Sequence, residues 1–170
     1  MPLTNPLEVT VLSQAVVLTD EQIKELPTTP VEIVPAPGAG KIILPLYGVA
    51  RLQWVSDYDN IHEAAQLRFV VGTAGDALFP FRQDNASDVS GLLAGGGPDG
   101  SIGWSPTRFS GKVPVAPGPV LGSGTAQFYD SDLVNFPLVF QADNGASGNF
   151  TGGNADNSLK VTVLYTIIDV

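Results

Sequence analysis

The last stretch of the chain alternates with a period of two. Leu159, Val161, Val163, Tyr165 and Ile167 fall on one face, and Lys160, Thr162, Leu164, Thr166 and Ile168 on the other. Successive residues of a strand point to opposite sides of its sheet, so this pattern predicts a β-strand rather than a helix. The first face is wholly apolar, and the second is polar early and apolar late. A closing strand with so little polar edge to protect it is expected in the middle of its sheet. The punctuation elsewhere agrees: 19 glycines and 14 prolines, 33 of 170 residues, suit many short strands joined by turns and exclude an all-helical bundle.

Further strands are expected at Pro30–Val34, Lys41–Tyr47, Val49–Val55, Ala64–Val71, Ala77–Phe81, Thr125–Tyr129 and Leu133–Gln141. Pro35-Ala36-Pro37-Gly38-Ala39-Gly40 reads as a turn, and Pro45 implies an edge strand or a bulge. Thr19-Asp20-Glu21-Gln22 is a capping box with acidic residues in the first turn. Pro27 and Pro30 keep that helix short, and it is the only helix expected. Residues 83–124 are loose in texture, with Asp84-Asn85-Ala86-Ser87-Asp88 and Gly95-Gly96-Gly97-Pro98-Asp99-Gly100, the kind of long loop that binds or covers something.

Residues 1–18 read as an extended N-terminal arm ahead of a single domain over 19–170. Pro2 and Pro6 oppose a helix there, and Glu8 is the only charge before Asp20. Val9, Val11, Leu12, Val16, Val17 and Leu18 make the arm apolar enough to seek a partner surface, the alternative being an edge strand of the same domain. The expected fold is thus all-β: an antiparallel β-sandwich or jelly roll with one short N-terminal helix and an extended arm.

Charge and residue usage remove several functions. Eight Lys and Arg against seventeen Asp and Glu give a net charge of −9, which repels polyanions, so no nucleic-acid partner is expected. With no cysteine there is no disulfide, thiolate nucleophile or thiolate-bound zinc. The start lacks the layout of a secretory signal, and no apolar run approaches the ~20 residues needed to span a bilayer, so no membrane partner is expected.

The chemical motifs are weak. Ala36-Pro37-Gly38-Ala39-Gly40-Lys41 fails as a phosphate loop, because Pro35 stands at the first glycine position and Ile42 at the hydroxyl position. The one histidine, His62, has no nucleophile elbow to serve, since Gly145-Ala146-Ser147-Gly148-Asn149 breaks at its last position. Asp57-Tyr58-Asp59-Asn60 and Asn154-Ala155-Asp156-Asn157 read as Asx turns, with structural calcium an open alternative; no cofactor is expected. Trp104, between Gly103 and Ser105-Pro106, is the aromatic best placed for an exposed ligand contact.

The segment Glu25-Leu26-Pro27-Thr28-Thr29-Pro30-Val31-Glu32-Ile33-Val34-Pro35-Ala36-Pro37-Gly38-Ala39-Gly40-Lys41 resembles one frequent in proteins of tailed bacteriophages and prophages. Phe150-Thr151-Gly152-Gly153 followed by Leu159-Lys160-Val161-Thr162-Val163-Leu164-Tyr165 is similar to their C-terminal end, and together the segments cover about a fifth of the chain. The resemblance implies a virion structural protein, closest to the small jelly-roll head decoration (cement) proteins. It further implies a homotrimer made in the bacterial host cytoplasm, bound to the major capsid protein on the capsid surface, with no catalytic residues. A receptor- or carbohydrate-binding module of a tail or head fibre, using Trp104 and residues 83–124, is the competing expectation.

Overall fold

A computed structural model describes residues 10–63, 65–71, 81–82, 86–94, 101–104 and 134–169. The strands are β1 (Leu12–Thr19), β2 (Val31–Val34), β3 (Lys41–Gln53), β4 (Tyr58–Asp59), β5 (Gln66–Val71), β6 (Phe81–Arg82), β7 (Ser101–Trp104), β8 (Leu138–Asp143), β9 (Thr151–Gly152) and β10 (Ser158–Asp169). Two helices, α1 (Asp20–Glu25) and α2 (Ala86–Leu93), and a 3-10 turn at Gly145–Ser147 complete the described elements.

Every pairing among the described strands is antiparallel, and four of the pairs nest one inside the next. β1 pairs with β10, β2 with β8, β3 with β7 and β5 with β6. These four pairs therefore nest as a long double strand around β5 and β6, with the short β4–β9 pair outside it. Rolling that ribbon up adds the β10–β3 and β8–β5 pairings and yields two four-stranded sheets, β1-β10-β3-β7 and β2-β8-β5-β6. This is the jelly-roll sandwich the sequence suggests. The closing strand β10 lies between β1 and β3, in the sheet interior as its alternation requires.

The core lies between the sheets. Leu159, Val161 and Val163 of β10 and Ala50 and Leu52 of β3 face Leu67, Phe69 and Val71 of β5 and Leu138, Phe140 and Ala142 of β8. Phe69 and Phe140 pack as a tilted pair with ring centroids 5.1 Å apart, a favoured aromatic geometry. Gly48 makes the close approach possible: a Cβ on it would overlap the Phe69 ring, with Cζ at 3.0 Å and Cδ2 at 3.2 Å.

Three expectations are corrected. Of the two readings of residues 1–18, arm or edge strand, the edge strand holds from Leu12, and residues 1–9 lie outside the described residues. Leu12–Thr19 is the edge strand β1, in register with β10 from Leu12↔Tyr165 to Thr19↔Ser158, and so belongs to the sandwich. The single-helix expectation misses α2, inside the stretch read as loose. Val89, Leu92 and Leu93, at helical spacing, are buried, and the helix packs against β5 and β7. Finally, Lys41–Gln53 is one strand, not two. Pro45 sits at a bulge, where β10 pairs Leu164 with Tyr47 and Tyr165 with Pro45 and skips Leu46. Residues 125–129 and 77–80, expected as strands or parts of strands, lie outside the described residues.

Candidate interaction surface

Edge strand β1 places the expected docking residues on two different faces. Val16 and Leu18 point inward beside Val161 and Leu159; Leu18 is fully buried, so its role is core packing and not docking. Leu12 is partly buried, Val16 leans on the core, and Val9 lies outside the described residues. Val11 and Val17 are open to solvent, at 55% and 60%. Alternation along an edge strand, not membership of a free arm, decides which of these side chains a partner can touch.

Val17 does not stand alone. The exposed large hydrophobics among the described residues are Val11, Val17, Tyr47, Val55, Leu164, Ile167 and Ile168. All but Val55 lie on, or directly before, strands of the β1-β10-β3-β7 sheet. Leu164 and Tyr47 are cross-strand partners, which makes them neighbours on the outer face. The opposite sheet is different: in β8 even the outward positions Val139 and Gln141 are buried.

One end of the sandwich is a loop rim held rigid by asparagines. Asn157, 2% exposed, accepts the N–H groups of Val55 (2.7 Å) and Ser56 (3.2 Å) and donates to the Ser56 carbonyl (2.8 Å). Asn144 accepts from the His62 N–H (2.8 Å) and donates to the carbonyls of Asn60 (2.8 Å) and Gly148 (2.7 Å). Asn60, at φ 60°, donates to the carbonyls of Ser147 and Asn149. The Asp156 N–H donates to Asn154 Oδ1, an Asx turn. Asn154 thus closes an Asx turn within its own cluster, whereas Asn60 and Asn157 bond the backbone of other segments and Asp57 Oδ1 accepts from Trp54 Nε1 at 2.8 Å. No group of three or more His, Asp or Glu that could hold a metal occurs among the described residues. His62 sits in this rim against Gly145, where an added Cβ would lie 3.4 Å from the imidazole.

Beneath the rim the helix joins the loops. The capping box forms, with Gln22 N–H to Thr19 Oγ1 at 3.3 Å and Thr19 N–H to Gln22 Oε1 at 3.0 Å. It directs Asp20 inward, where Oδ2 takes Lys24 Nζ at 2.5 Å. Asp20 Oδ1 and the Tyr58 hydroxyl are both buried without a hydrogen-bond partner in good geometry. Burial pushes the Tyr58 phenol well above its usual value of 10.0; Asn157 opposes the shift, and the neighbouring Asp20 carboxylate adds to it. Gly153, at φ 73°, fits over this pair, since a Cβ there would stand 2.5 Å from Asp20 Oδ1 and 2.6 Å from the Tyr58 ring.

Trp104 ends β7 at the register position opposite Gly48, and residues 105–133 lie outside the described residues. No helix among the described residues is long and apolar enough to cross a membrane.

No family model matches the chain, and no curated protein does. Among solved structures the chain is similar to one from the capsid asymmetric unit of cyanophage Pam1, with 17% identity and a TM-score of 0.39, over 94% of this chain and 84% of that one.

Proposed function

We propose that this chain is a structural, non-enzymatic protein of a phage virion: a decoration protein that binds the major capsid protein on the head surface as a homotrimer. The observation that carries the reading is the one-sided surface. Nearly all the large exposed hydrophobics of the described residues gather on one sheet of a rigid jelly roll. A gathering of exposed apolar side chains on one sheet supports a protein-contact surface there. The sequence resemblance to phage structural proteins supports the same reading, as does the lack of cysteine in a chain that must leave a reducing cytosol for the exterior. The asparagine-pinned rim supports the reading through the stiffness that a cementing part needs.

Centrifugation of the purified protein with heads assembled without it tests this. The protein should pellet with the heads and saturate at a fixed ratio to the major capsid protein. Protein that stays in the supernatant at every concentration contradicts the proposal.

A further inference from the structure

The outer face of the β1-β10-β3-β7 sheet carries charge as well as apolar surface. Register sets out three rows of three: Ser13, Leu164 and Tyr47; Ala15, Thr162 and Val49; Val17, Lys160 and Arg51. These side chains are exposed or partly exposed, and none is acidic. In a chain with eight Lys and Arg and a net charge of −9, two cations without a carboxylate among them stand out. The remaining residues carry −11, two more than the whole chain. Lys160 and Arg51 lie directly opposite one another across β10 and β3, a like-charge pair that costs stability in the isolated sheet. The ion pairs of the described residues are Lys24–Asp20, Lys41–Asp169 and Arg68–Asp143, so neither member of this pair has an acidic partner among them.

The loop rim has the opposite character. Residues 54–63 and 144–157 contain no Lys or Arg, and Asp57, Asp59, Glu63 and Asp156 are exposed there. The rim begins just past the ends of β3 and β10 that carry Arg51 and Lys160, so the basic row and the acidic rim adjoin on one molecule without forming ion pairs.

We propose that the outer face of the β1-β10-β3-β7 sheet receives the acidic loop rim of a second copy of this chain, head to tail. The inference deepens the homotrimer reading above and rests on it. Face-to-face pairing about a two-fold axis would bring two Arg51/Lys160 rows within about a Debye length of each other, roughly 10 Å, where they repel. Rim-to-face pairing places each row against carboxylates. A heterologous contact of this kind forms a ring when its rotation closes, as the homotrimer reading requires. At strand spacings of ~4.8 Å and ~3.3 Å per residue the three rows span roughly 250 Å² in projection. A stable contact needs about 800 Å² from each partner, so the contact must extend beyond these three rows.

Sedimentation velocity at micromolar concentration tests the contact. The wild-type chain is compared with Arg51→Glu/Lys160→Glu, and with a swapped chain that adds Asp59→Lys and Asp156→Lys. The wild type should run as a closed oligomer, the double variant should associate at least tenfold more weakly while keeping its circular dichroism spectrum, and the swapped chain should reassemble. If the double variant fails to fold, Val17→Lys, at a position 60% exposed, serves in its place. A folded double variant that assembles as tightly as the wild type, a swapped chain that stays apart, or a two-fold dimer of the wild type overturns the rim-to-face contact. A monomeric wild type overturns the homotrimer reading beneath it.

Discussion

Gly48→Ala probes the closeness of the two sheets. Gly48 is buried in β3, and the Phe69 ring lies against the space its Cβ would fill, with Cζ at 3.0 Å from the added atom. Phe69 cannot swing aside freely, because it is fully buried and packed in a tilted pair with Phe140, ring centroids 5.1 Å apart. Overpacking of this kind costs about 1–3 kcal/mol, since the core must shift backbone or leave its rotamers. For a domain of this length each kcal/mol lowers Tm by about 2–4 °C, so a fall of roughly 2–12 °C is expected. Wild type and variant must be melted at equal protomer concentration, because an oligomer's apparent stability depends on it. Phe69→Leu removes the ring edge that collides. In the double variant the two costs should therefore fail to add, with a favourable coupling of about 0.5–2 kcal/mol in urea unfolding. A Gly48→Ala protein within about 0.5 kcal/mol of wild type, or costs that simply add, would refute the close packing of β3 on β5.

Other perturbations separate the parts of the account. Asn144→Ala removes three hydrogen bonds and leaves two rim carbonyls without their donor, so it should cost about 2–4 kcal/mol by urea unfolding, against under 1 kcal/mol for the exposed Asn154→Ala. Tyr58 is protonated more tightly in the fold than in the open chain, so its contribution is whole below about pH 10 and is lost as pH rises above it. Tyr58→Phe should therefore flatten the alkaline fall in stability by up to ~1.4 kcal/mol per pH unit, and equal slopes for the two proteins would count against the buried phenol. Leu18→Ala should cost about 2–5 kcal/mol as a core cavity, while Val17→Ser one residue earlier should leave Tm nearly unchanged and weaken self-association. The reverse ranking would mean that β1 sits in the other register.

Much of this fold is written locally and is legible there. The period-two run from Leu159 places β10 inside its sheet because an apolar strand needs neighbours on both sides, and the Thr19–Gln22 box sets the start of α1. What escapes is decided by tertiary context. Gly91 and the short span hide the Val89, Leu92, Leu93 stripe of α2, which pattern alone does not distinguish from loop. Pro45 is accommodated within interior strand β3 because β10 skips Leu46 opposite it, a choice made by the partner strand. Val16-Val17-Leu18 reads as uniformly greasy, yet pairing with β10 sends Leu18 into the core and Val17 to solvent. The contact face is the least legible part: its rows join residues 13–17, 47–51 and 160–164, which only the rolled-up topology brings side by side.

The most direct measurement images heads assembled with and without this protein, by electron microscopy at equal particle concentration. The account predicts three-lobed density on the outside of the head, present only when the protein is supplied and lost with Arg51→Glu/Lys160→Glu. Heads of identical appearance in both preparations, or added density confined to the tail, would contradict it.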